Sequence, residues 1–155
     1  MKTITIDPRK CVGCRNCEMA CAFEKSQSSC EVEFANIRIN DYIKERFVVP
    51  MTCFHCEEAW CMKVCPAHAI SRDEKTNAVV LDQEKCAGCK MCILACPYGN
   101  IHFDHVKLVS HKCDLCGGDP RCVTHCISGA LQFEDVVTRK RYRIDMQIED
   151  LTKRG

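Results

Sequence analysis

Sixteen cysteines fall into four runs of four, and the third run is the most informative. In CAGCKMCILACP, residues 86 to 97, Cys86, Cys89, Cys92 and Cys96 stand at C-x-x-C-x-x-C-x-x-x-C, and Pro97 follows. This bacterial spacing holds a cubane 4Fe–4S cluster. Three thiolates two residues apart wrap one side of a small cube. The fourth, a helical turn further on, is aimed elsewhere, and where two clusters sit together it ligates the other one. Proline cannot extend that turn, so it sends the chain away. One run therefore implies a second. The chain has three more: Cys11, Cys14, Cys17 and Cys21; Cys53, Cys56, Cys61 and Cys65; Cys113, Cys116, Cys122 and Cys126. The second run widens the middle gap to four residues and the fourth widens it to five.

Zinc is the structural rival, because cysteine pairs bind it too. Zinc sites join two separated C-x-x-C pairs and do not need triples at two-residue spacing, four times over. A structural staple would explain one cluster; four in a short chain read as a series of electron carriers. The seventeenth cysteine, Cys30, stands outside the runs in SQSSCEVE and reads as inert filler. His55 and His125 lie inside runs that already hold four cysteines, so they read as packing rather than ligands. The sequence contains no nucleophile–base pairing, no Gly-rich dinucleotide fingerprint and no phosphate loop. It reads as a non-catalytic chain.

The totals agree with metal. Hydrophobic residues make up 46% of the 155, but 17 of them are cysteines, and about a third of the chain remains apolar without them. So thin a core needs staples, either disulfides or metal. Disulfides belong to oxidising compartments. MKTITIDPRKCV at the start has no apolar signal character, and no run approaches the length of a membrane span. The expectation is a reduced, cytoplasmic setting with metal-bound thiolates. The formal net charge of +1 leaves no nucleic-acid footprint. Sixteen ligating thiolates would turn the holoprotein net negative. Arg9, Lys10, Arg15, Lys63, Lys85, Lys90, Lys112 and Arg121 beside the runs would offset this locally, or are ordinary solvated side chains.

The elements that must position the runs are small. KTITI at 2 to 6 alternates and favours a strand ended by Asp7 and Pro8. Residues 37 to 49 read as a hairpin turning near Asn40 and Asp41. After the second run, Ala69 and Ile70 lead out, 72 to 77 turn, and Ala78 to Leu81 lead back to the third. Gly117 to Pro120 read as a turn. Ala130, Leu131 and Phe133 form a last strand. The mixed-charge tail from Asp135 reads as an extension that is solvated or packed on a partner.

With four runs, proline after the second and third, and the widened gaps, the chain resembles the four-cluster ferredoxin-type small subunits of molybdenum and tungsten oxidoreductases. KCDLCGGDPRC at 112 to 122 makes it look most like those of tungsten aldehyde oxidoreductases and benzoyl-CoA reductase complexes. It is also similar to the ferredoxin subunits of carbon monoxide dehydrogenase, formate dehydrogenase and hydrogenases. Two departures are Ala22 and Ile127, which stand where proline is frequent. The resemblance implies an α+β fold of two ferredoxin-like halves in nested order, with small sheets and short helices organised by four 4Fe–4S clusters. The inner half covers 49–104 and the outer half 1–22 plus 105–134. An insertion spans 23–48 and a C-terminal extension 135–155, all within one unit of 1–155. Nested pairing implies that Cys11, Cys14, Cys17 and Cys126 hold one cluster and Cys113, Cys116, Cys122 and Cys21 its neighbour. Cys53, Cys56, Cys61 and Cys96 hold a third, and Cys86, Cys89, Cys92 and Cys65 a fourth. The rival is sequential pairing, with Cys21 beside Cys53. The implied partner is a large catalytic subunit with a tungsten or molybdenum cofactor, docked on the insertion and the tail. A flavin or ferredoxin-type redox partner lies on the other side. The alternatives are a free-standing soluble polyferredoxin and, from another class, a zinc-bound interaction module.

Overall fold

The computed structural model describes residues 2–135, so all but the first residue of the C-terminal extension lies outside the described residues. Four helices carry the cysteines: α1 (Asn16–Ser26), α2 (Trp60–Lys63), α3 (Met91–Leu94) and α4 (Arg121–Thr124). The second residue of each is the third cysteine of a run: Cys17, Cys61, Cys92, Cys122. The fourth cysteine follows one turn later. The chain enters each helix through a local reversal. The residue before the second cysteine is left-handed in every run: Gly13 at φ 67°, His55 at 47°, Gly88 at 67° and Leu115 at 59°. Glycine takes this conformation without steric cost; histidine and leucine do not.

The helix exits differ, and proline accounts for only part of the difference. After the second, third and fourth runs the chain turns at once. His68, Gly99 and Gly129 are left-handed, and each donates its N–H to the carbonyl of the run's last cysteine at 3.2, 3.2 and 3.1 Å. Ala22 follows Cys21 where proline follows Cys65 and Cys96. With its N–H intact, α1 runs on to Ser26 and ends at left-handed Gln27, whose N–H reaches the Phe23 carbonyl at 2.7 Å. Ile127, the other departure, leaves α4 as short as its counterparts.

The strands pair antiparallel in four two-stranded sheets among the described residues. β4 (Ile70–Arg72) and β5 (Val79–Leu81) link the second and third runs. β1 (Lys2–Ile6) pairs along its length with β8 (Leu131–Asp135), joining a segment before the first run to one after the fourth. Short helices and repeated small sheets make an α+β fold consistent with tandem ferredoxin-like halves.

The insertion does form a hairpin, β2 (Ile37–Tyr42) and β3 (Phe47–Thr52), but its turn is not at Asn40 and Asp41. Those residues stand within β2 opposite Val49 and Val48, and the chain reverses at 43–46 with Arg46 left-handed at φ 52°. Tyr42 and Phe47 close the ladder with rings 6.3 Å apart. A further hairpin that the sequence left unassigned, β6 (His102–Asp104) with β7 (Val109–His111), stands between the third and fourth runs.

The interior divides into two apolar clusters. One gathers Ile4, Ala22, Ile37, Leu115 and Leu131 around cysteines of the first and fourth runs, with Cys53 against it. The other gathers Ala59, Ile70, Val79 and Ile101 around cysteines of the second and third. The insertion belongs to the first cluster: Ala35 and Ile37 are essentially inaccessible. The tip of its hairpin, with Ile43 85% exposed, is free surface. Buried Glu18 in α1 locks it in place, accepting the Ile39 N–H at 2.7 Å and an Arg15 N–H at 3.1 Å.

Candidate metal centres

Two cavities bring cysteines of different runs together. One cavity is lined by Cys11, Cys14 and Cys17 together with Cys126 from the far end of the chain. Another is lined by Cys53, Cys56 and Cys61 together with Cys96 from the third run. The electrostatics show the same company. Burial, then the Glu18 carboxylate, then Cys126 and Cys11, push the Cys17 thiol up to about 12. Burial raises Cys122 further, reinforced by Cys113, Cys21, Cys116 and, more weakly, Cys17. Burial raises Cys61 against the pull of Lys112, with Cys53 and Cys96 adding to it. Burial raises Cys92 against a hydrogen bond with Ser110, with Cys86 and Cys65 adding to it. The third cysteine of every run, Cys17, Cys61, Cys92 and Cys122, is thus held toward its protonated form. A cationic core bound there would take the place of such protons, which is how metal binding couples to thiol ionisation.

Among the described residues, no three His, Cys, Asp or Glu side chains are drawn together tightly enough to hold a single metal ion. A cubane makes a different demand. Each of its four irons takes one thiolate, so the sulfurs surround a body rather than meet at a point.

Backbone amides are already aimed at the sulfurs. Asn36 donates to Cys21 Sγ at 3.2 Å, Ala69 to Cys65 at 3.3 Å, and His55, Leu115 and Leu131 to Cys53, Cys113 and Cys126 at 3.4 Å each. Such donors favour thiolate and tune cluster potential. The left-handed residues His55 and Leu115 supply two of them, so the strained reversal in the second and fourth runs presents an N–H to the first cysteine of its own run. Cys14 and Cys89 are exposed, and Cys17, Cys21, Cys92, Cys113 and Cys122 are buried. Cys30 is exposed rather than packed as filler.

His55 does more than fill space. Its side chain is 2% exposed, and Nδ1 accepts the Val79 N–H at 3.0 Å. Nε2 must then carry the ring hydrogen, yet it is buried without an acceptor among the described residues. The sulfurs of a cluster beside Cys53 and Cys56 are acceptors of the kind it lacks. The residues present thus fit an iron–sulfur group. Sequence reasoning set His55 aside because the run needed no fifth ligand. Aligning the runs with one another would have marked it, since Gly13 and Gly88 fill the same slot. Lys112, 5% exposed, was one of eight basic residues beside the runs, with nothing in the sequence to single it out. His125 is exposed, with Nδ1 at 2.9 Å from the Arg121 carbonyl oxygen.

Residues 44–136 match the model of the 4Fe-4S dicluster domain, and residues 3–25 match that of a 4Fe-4S binding domain. The polyferredoxin-like subunit of the aliphatic sulfonate oxidoreductase of Pyrococcus furiosus is 42% identical over 135 residues, 87% of this chain and 77% of that one. The B subunit of the anaerobic dimethyl sulfoxide reductase of Escherichia coli is 35% identical over 146 residues, 83% of this chain and 70% of that one. Among solved structures, the active site complex BamBC of benzoyl coenzyme A reductase contains a chain that superposes with a TM-score of 0.53 at 26% identity, covering 99% of this chain and 91% of that one.

Proposed function

This chain belongs to the 4Fe-4S dicluster domain family and is a non-catalytic relative of the polyferredoxin subunits of anaerobic oxidoreductases, and on that premise we propose that it holds four 4Fe–4S clusters in series and carries electrons for a larger catalytic subunit. The proposed ligands are Cys11, Cys14, Cys17 and Cys126 for cluster A; Cys113, Cys116, Cys122 and Cys21 for cluster B; Cys53, Cys56, Cys61 and Cys96 for cluster C; Cys86, Cys89, Cys92 and Cys65 for cluster D. The observation that carries this reading is the company the cysteines keep. Two cavities each join three cysteines of one run to the last cysteine of another, first run with fourth and second with third, which supports nested over sequential pairing. The pairing of β1 with β8 supports an outer half closed by both chain ends. Neighbouring sets also touch electrostatically, Cys17 with Cys122 and Cys53 with Cys113, which favours the order A, B, C, D.

When bound, each cluster supplies one-electron transfer. The chain's residues fix the spacing, exclude water from the buried thiolates and aim amides at them. The partner we infer is a large catalytic subunit of the tungsten or molybdenum oxidoreductase class, with a flavin or ferredoxin-type partner at the other end of the series. Apolar side chains that stand exposed beside the runs, Val12 and Ile127 near cluster A and Trp60, Leu94 and Tyr98 near clusters C and D, offer surface at both ends. Among the described residues no helix is long and apolar enough to cross a membrane.

Anaerobic purification from native cells, with iron and sulfide analysis, tests the reading. The expected result is about sixteen iron and sixteen acid-labile sulfide atoms per chain, from four cubanes, in a preparation that also contains a large subunit. A chain that purifies alone with full iron would be a free shuttle instead. A stable preparation with zinc and no sulfide would overturn the proposal.

A further inference from the structure

Lys112 lies next to Cys113, and its side chain is buried. Its Nζ donates to the Cys113 carbonyl at 3.0 Å and to the Val79 carbonyl. Val79 is held at both of its backbone polar groups, because its N–H donates to His55 Nδ1 at 3.0 Å. The ammonium is therefore fixed at the junction where the second run, β5 and the fourth run meet. No carboxylate among the described residues pairs with it, and the adjacent Asp114 is engaged by Lys25 at 2.7 Å. A buried ammonium satisfied only by carbonyl oxygens is costly unless negative charge lies close by. Thiolates can supply that charge. Val79, whose carbonyl it holds, lines the cavity of Cys53, Cys56, Cys61 and Cys96, and the other carbonyl is that of Cys113 itself, so the ammonium lies against cysteine sets of two different runs.

We propose that Lys112 is a fixed positive charge shared by clusters B and C, which raises the reduction potential of both relative to clusters A and D. This rests on the ligand assignment above. The physical basis is simple: an electron added to a cubane adds one negative charge, and a nearby buried cation stabilises it where water cannot. Placed between the two halves, one lysine acts on both middle carriers at once. Electrons crossing from one half to the other then meet no uphill step created by burial at the junction.

The test uses the full-length holoprotein, prepared anaerobically as wild type, Lys112→Gln, Lys112→Met and Lys112→Arg. Each is assayed for iron and titrated potentiometrically with electron paramagnetic resonance. Glutamine keeps one donor to the carbonyls without the charge, methionine keeps the length, and arginine keeps the charge. The signals perturbed by Cys61→Ser and Cys122→Ser identify clusters C and B. In the neutral variants the reduction equilibrium of B and C should become at least tenfold less favourable, about 59 mV for a one-electron couple. A and D should move less than threefold, and arginine should restore B and C. Unmoved potentials at full iron, or an equal shift of all four clusters, would overturn the proposal. If both neutral variants shed iron, loss confined to B and C with full retention in Lys112→Arg supports it, and any other pattern overturns it. Wild-type analysis separates the two failures. Fewer than four cubanes in the native chain defeats the ligand assignment, whereas four cubanes with unmoved potentials defeats the role of Lys112 alone.

Discussion

A methyl group added at Gly88 would sit 2.3 Å from the Leu108 carbonyl oxygen, on a backbone already at φ 67°. The left-handed conformation alone costs about 1–2 kcal/mol for a side chain, and the clash is with backbone that belongs to the turn between β6 and β7. Gly88→Ala should therefore destabilise the third run by more than ~2 kcal/mol and reduce iron content. Gly99→Ala, where nothing lies within 4 Å of the new methyl, should cost only about 1 kcal/mol and keep its iron. Thermal unfolding and iron analysis of the two variants check this. His68 occupies the slot of Gly99 and Gly129 and is exposed, so His68→Gly should be neutral or stabilising by up to about 1 kcal/mol. Glu18 gives the opposite sign. Glu18→Ala leaves the buried Ile39 N–H without its acceptor and should cost about 1–3 kcal/mol, read as a lower unfolding temperature. The sixteen cysteines were legible as types and spacing. Glu18 and His55 were not, because their roles depend on backbone groups 21 and 24 residues away in sequence.

At the scale of the element, α1 carries much of the outer half. Besides the Glu18 bond it brings Lys25 to Asp114 at 2.7 Å and Glu24 to Arg121 at 3.4 Å, so it grips the fourth run from the first. Its length depends on Ala22. Ala22→Pro recreates the proline that ends the second and third runs, but it removes an interior N–H and should cost about 3 kcal/mol or more. The expected outcome is reduced helical signal in circular dichroism and loss of iron from the first and fourth runs. An unchanged spectrum with full iron would show that the extension of α1 is incidental. The strands at 2–6 and 131–135, the pair around 72–77 and the hairpin of the insertion were all visible in alternation and turn residues. The hairpin's turn was misplaced because Asn40 and Asp41 favour turns locally, while the Tyr42–Phe47 pairing sets the register. The β6–β7 hairpin escaped notice because three-residue strands bounded by histidines have no periodicity to read.

For the molecule as a whole, the apolar cores are small, and the buried side chains of the first include cysteines from both chain ends. Removing the metal should leave those thiols to repel and hydrate, so anaerobic chelation should abolish cooperative unfolding, as in other folds whose metal-binding energy is folding energy. A sharp thermal transition in the metal-free chain would contradict that. Cysteine spacing alone leaves the pairing of the runs open. The sequence shows four runs, but their partnership depends on the meeting of segments more than a hundred residues apart, such as Ile4 with Phe133. The insertion could not be recognised as core either, because its buried Ala35, Ile37 and Ile39 sit among exposed charges. The most direct test is diffraction from the anaerobically prepared holoprotein at the iron absorption edge. Four compact iron sites are expected, with Cys21 Sγ bound to the same cube as Cys113, Cys116 and Cys122. Cys21 on a cube with Cys53, or fewer than four cubes, would contradict the account.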